Sequence, residues 1–131
     1  MRGIEVRVER DLKDTDKAVR LALAEEGFGV LTEIDVAATL KQKLGIERPP
    51  LRILGACNPN LAHRALELDP SAALVLPCNV VIEPDPSGGT RVTFADPREL
   101  MPGASFRELA DEASTRFARV ATRISRADES G

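Results

Sequence analysis

Apolar and polar positions alternate strictly over residues 3–9, with Ile4, Val6 and Val8 on one side and Glu5, Arg7 and Glu9 on the other. That period of two predicts a half-buried strand. From Asp14 to Glu26 the period becomes helical. Val19, Ala22 and Leu23 form a stripe, and Asp16, Lys17, Arg20 and Glu25 are expected in water, with Asp14 or Thr15 as cap and Gly27 as stop. Phe28–Ile34 predicts a second strand, and Asp35 caps a short helix, Val36–Leu44, closed by Gly45. A third strand, Leu51–Ala56, leads into Asn58-Pro59, a favoured N-cap followed by a favoured first helical residue. The helix opened there should bury Leu61, Ala65 and Leu68 and stop at Asp69-Pro70. Leu74–Glu83 and Arg91–Ala95 predict two more strands, joined by the turn residues 84–89 as a hairpin. Ser105 and Glu108 have the spacing of a capping box. They precede the longest apolar face in the chain: Phe106, Leu109, Ala110, Ala113, Phe117, Val120, Ala121 and Ile124.

The order β-α-β-α-β-α-β-β-α predicts a single α+β domain over residues 1–124, with a mixed sheet of about five strands packed by helices. Residues 125–131 are polar and expected to form a disordered tail. One long apolar helix covers one sheet face. The fourth strand looks apolar on both sides (Leu74, Leu76, Val80 and Ile82 against Val75 and Val81), so a second copy is expected against the other face, making a homodimer.

Composition narrows the function classes. A chain of 131 residues can build a core without disulfide or metal staples. A net charge of −3, with four Phe and no Trp or Tyr, argues against a basic, ring-lined nucleic-acid surface. No apolar run approaches the ~18 residues of a membrane span. The first residues lack the apolar segment of a signal peptide. A cytoplasmic location is therefore expected, where cysteines stay reduced.

The candidate chemistry lies in two near-mirror motifs, Cys57-Asn58-Pro59 and Pro77-Cys78-Asn79, each following an apolar run. If the two strands are neighbours, both thiols and both carboxamides could converge into a pocket for a small ligand: a sulfur species, a soft metal ion or a polar metabolite. Cys57 precedes a helix N-terminus, which favours a thiolate by ~0.3–1 kcal/mol, less than the ~2 kcal/mol needed to half-ionise a thiol at pH 7. A nearby cation is required, and His63, Arg64, Lys41 and Lys43 are the candidates. Pro77 cannot donate to a sheet ladder, so it predicts an edge or bulge beside Cys78. Alternatively, Cys57 is the nucleophile of a thiol-dependent enzyme, with Glu33 or His63 moving the proton. In a third reading the cysteines only pack, within a structural dimer. Asn58 is also explained by capping alone, and Glu33 by solvent exposure at a strand end. The cysteines lack the close spacing of a metal motif, so no metal and no cofactor is assigned.

Further pieces are Gly27-Phe28-Gly29-Val30-Leu31 with Glu33, then Leu54-Gly55-Ala56-Cys57-Asn58-Pro59 with Ala62 and Ala65, then Leu76-Pro77-Cys78-Asn79-Val80, and last Asp96-Pro97. On these motifs the chain resembles the domain of unknown function 302 family (DUF302) from about Ile4 to Ile124. The resemblance implies a compact α+β fold, often dimeric. It brings no assigned activity with it.

Overall fold

A computed structural model describes the backbone of residues 1–130 and the side chains of residues 1–126. Five strands form one sheet: β1 (Ile4–Val8), β2 (Gly29–Asp35), β3 (Arg52–Cys57), β4 (Cys78–Pro84) and β5 (Thr90–Phe94). Their spatial order is β1-β5-β4-β3-β2. Every pairing is antiparallel rather than mixed. The reason is local. Asp35 at the end of β2 stands opposite Arg52 at the start of β3, and Ala56 stands opposite Cys78. Helices α2 (Val36–Leu44) and α3 (Pro59–Leu68) therefore leave and return at the same end of the sheet, closing wide hairpins instead of crossing over it.

Helices α1 (Leu12–Glu25) and α5 (Arg107–Ser130) cover one face. Every member of the expected α5 face from Leu109 to Ile124 is buried, and Ala113, Phe117, Val120, Ala121 and Ile124 share one core cluster with Val8, Val80, Ile82, Val92 and Phe94 of the sheet. Phe117 stacks on Phe28 at 4.5 Å and tilts against Phe94 at 5.5 Å. A smaller cluster of Ala65, Ala72, Met101 and Leu109 lies beside it, under α3 and a short helix α4 (Pro97–Leu100).

Several local readings change. Asp11, not Asp14 or Thr15, caps α1, accepting from the Asp14 N–H. Asp16 is buried, not solvated, because Arg20 and Arg52 meet it at 2.6 and 2.8 Å. Leu68 and Leu44 face water, and α2 buries no residue at all. The run 70–75 is a 3-10 turn rather than strand, so β4 starts only at Cys78. Pro77 precedes the strand, where no ladder N–H is needed, and the one register shift lies between Val30 and Thr32. A 3-10 turn, Ala104–Phe106, replaces the Ser105 capping box, and α5 continues through residues 125–130 of the expected tail. Gly131 lies outside the described residues.

Candidate functional site

The two cysteine motifs do come together at one end of the sheet, but not as one pocket. Cys57 closes β3 opposite Gly29, and its neighbour Ala56 pairs with Cys78. Both thiols are free and line, with Asn58, a cavity of about 20 Å³ whose other walls are apolar, Phe28, Ala56, Leu61 and Leu76 among them. That volume holds about one water molecule, far less than a metabolite. Cys78 is buried, and burial, reinforced by the nearby Cys57, pushes its thiol up from 9.0 to about 11. Cys57 is half-buried.

The carboxamides diverge. Asn58 is buried and held at both ends of its carboxamide: its Oδ1 accepts from the Leu61 N–H at 3.2 Å and its Nδ2 donates to the Glu26 carbonyl at 3.3 Å. One side chain thus caps the start of α3 and ties it to the end of α1. Asn79 lies on the opposite face of the sheet and is exposed. Period two requires this, since Cys78 and Asn79 are consecutive in one strand.

The remaining candidates lie elsewhere. Glu33 stands at the level of Leu54 and pairs with Arg20 at 3.2 Å and Arg52 at 3.5 Å, within the network around Asp16. His63 lines a surface groove with Arg64, Glu67, Ser105 and Glu108 that does not include Cys57. Arg64 is paired with Glu112 at 3.0 Å and Lys41 with Glu47 at 3.4 Å. Among the described residues, no three His, Cys, Asp or Glu side chains gather as a metal site requires.

A larger concavity is on the face that the helices leave open. A groove of about 580 Å³ has Asn79 and Val81 of β4 and Thr93 of β5 as its floor, with Ala95 beyond. Val81 and Thr93 are cross-strand partners, and the Ala95 N–H donates to the Asn79 carbonyl at 2.9 Å. Leu74–Pro77 form one wall and residues 1–3 the other, with Leu100 at the end. The second wall is anchored: Glu99 accepts from the N–H groups of Arg2 and Gly3 at 3.0 and 2.9 Å. These two bonds hold the Glu99 carboxyl below its ordinary value. Sequence reasoning found Asn79 but not its neighbours. The available signal was again period two, which puts Asn79 with Val81 and Thr93 with Ala95.

The sequence pattern of a family described as "Domain of unknown function DUF302" matches residues 4–126. A crystal structure of an uncharacterized conserved DUF302 protein from Bacillus stearothermophilus is similar with a TM-score of 0.86 and 29% identity, over 95% of this chain and 98% of that one. No curated protein matches. Among the described residues, no helix is long and apolar enough to cross a membrane.

Proposed function

Since the chain belongs to the DUF302 family, whose function is unknown, its own geometry must carry the reading, and we propose a cytoplasmic protein that binds a small ligand in the open-face groove. The observation that carries it is Asn79. A central-strand carboxamide lies exposed on the floor of a concavity of about 580 Å³ whose other lining residues are mostly apolar. Volumes of 300–1,000 Å³, apolar walls and a few placed polar groups are what small-molecule sites share. Leu76 and Pro77 line both this groove and, through Leu76, the thiol cavity, so the Pro77-Cys78-Asn79 motif is the partition between core and ligand. In this reading Cys78 packs and Asn79 binds. An enzyme built on Cys57 has less support, because His63 lines a groove that lacks Cys57 and Glu33 is paired with Arg20 and Arg52.

The same reading includes a homodimer, but one formed through β2 rather than through the open sheet face expected from the sequence, which the groove occupies. This strand is a sheet edge with unpaired ladder groups, and its Leu31 and Ile34 are exposed, as are Leu44 and Ile46 at the end of the helix α2 that follows it. Two copies of one edge can pair antiparallel about a two-fold axis and leave the groove free.

The test is a ¹H–¹⁵N spectrum titrated with neutral, anionic and cationic fragments. Shifts gathered at residues 74–81 and 93–95, lost in Asn79→Ala, are expected. Shifts centred on Cys57 and Ala62, or none in the groove, would overturn the assignment.

A further inference from the structure

The lining of the open-face groove also selects a ligand class, an inference that rests on the groove being the binding site. We propose that the groove takes an amphipathic monoanion, an aliphatic chain ending in a carboxylate. Three observations lead there. First, Arg2 is the only charged residue type in the lining of the groove; no Asp or Glu lines it. The neighbouring Glu99 is already engaged by two backbone N–H groups, and the Arg2 guanidinium has no ion pair among the described residues. A guanidinium without an ion pair at a groove's edge can take a carboxylate in two parallel hydrogen bonds, while both oxygens of Glu99 stay turned to backbone N–H groups. Second, the walls and floor are aliphatic: Leu74, Val75, Leu76, Val81 and Leu100. Leu74 is 87% exposed, an apolar side chain with nothing over it until a ligand tail arrives.

Third, the groove offers no aromatic surface. Phe94 reaches it only through its backbone, since its ring is fully buried against Phe117 on the other side of the sheet. Flat heteroaromatic ligands, which bind by stacking, therefore find no platform. The Asn79 carboxamide and the Thr93 hydroxyl add hydrogen bonds along the floor, where they orient the polar end without selecting its charge.

Octanoate, 1-octanol and octylammonium share one tail and differ in the charge of the head, so they separate the two parts of the proposal. Each is titrated into the ¹⁵N-labelled protein, with shifts followed at residues 74–81 and 93–95. Octanoate is expected to bind at least tenfold more tightly than octylammonium. Arg2→Gln, a change at an exposed position, should weaken octanoate about tenfold and bring it level with octanol. Equal affinity for all three heads, with Arg2→Gln inert, overturns the anion class while the groove stands as a binding site. Silence of the groove amides toward all three and toward the fragment set overturns the groove itself.

Discussion

Gly55 lies directly beneath the ring of Pro77. A Cβ on Gly55 would stand 2.8 Å from Pro77 Cγ and would also run into Thr32 Oγ1. Gly55 is therefore the point where the partition segment closes down onto β3 from the open face. Gly55→Ala should destabilise the protein by ~1–3 kcal/mol, the range for overpacking a closed site. The control is Gly29→Ala, since a Cβ on Gly29 meets nothing within 4 Å and its φ is not positive. That change should be neutral or slightly stabilising. Urea midpoints of the two variants decide the matter, and equal midpoints would mean Pro77 does not press on Gly55.

Asn58 ties two helix ends with one carboxamide, and its two variants separate the ties. Asn58→Ala loses both, leaving the Leu61 N–H without its cap, and should cost ~1–2 kcal/mol. Asn58→Asp keeps an acceptor for Leu61 but turns the donor facing the Glu26 carbonyl into a second acceptor. It should recover little of the loss. Full recovery would mean that the cap matters and the bond to Glu26 does not.

Much of this architecture was legible in the sequence, and the failures share a cause. The α5 face, the Asp35 cap, the Gly45 stop and the Asn58-Pro59 start rest on interactions within a few residues, which a local pattern records. Asp16 does not. Its burial is possible because Arg52, 36 residues away, reaches it, and no local period encodes that. Leu74 misled for the opposite reason: an apolar run reads as strand, yet the turn it forms leaves that side chain 87% exposed. The convergence of the cysteine motifs was conditional on β3 and β4 being neighbours, and they are, with Ala56 opposite Cys78. Assigning all four motif residues to one pocket ignored the alternation that sends Asn79 to the other face.

Cys78 should resist chemistry that Cys57 undergoes. With its thiol pushed to about 11 by burial and by Cys57, only about 1 in 1,000 molecules carries a Cys78 thiolate at pH 8. Alkylation of the folded protein at pH 8, read by peptide mass, should modify the half-buried Cys57 first and leave Cys78 intact until urea unfolds the chain. Comparable rates for the two would contradict the packing role given to Cys78.

Thr15 is fully buried, and its Oγ1 has no hydrogen-bond partner among the described residues. A hydroxyl desolvated without compensation costs ~1–3 kcal/mol, and valine matches its shape. Thr15→Val should raise stability by ~1 kcal/mol, seen as a higher urea midpoint with an unchanged slope. A lower midpoint would show that the hydroxyl does find a partner in solution.

Glu26 is a buried carboxylate met by three arginines and sets the last expectation. Its buried carboxylate accepts from Arg119 at 2.9 Å and from Arg123 at 3.2 Å, while Arg116 donates to its backbone carbonyl at 3.1 Å. Burial alone would raise the carboxyl, but the hydrogen bonds and charges of Arg119 and Arg123 outweigh it and hold the group below its ordinary 4.5. A carboxyl depressed in the folded state stabilises it fully above the unfolded value, and that contribution is lost as pH falls through the lower folded value. Glu26→Gln should therefore be less stable than the parent at pH 7 and approach it steadily below pH ~4.5. Asp16 and Asp96, also held low by arginines against burial, titrate in both proteins and cancel in the difference. Urea midpoints at pH 7, 5 and 3 provide the check. A gap that stays constant across that range would place the effect of the substitution in packing rather than in the charge of Glu26.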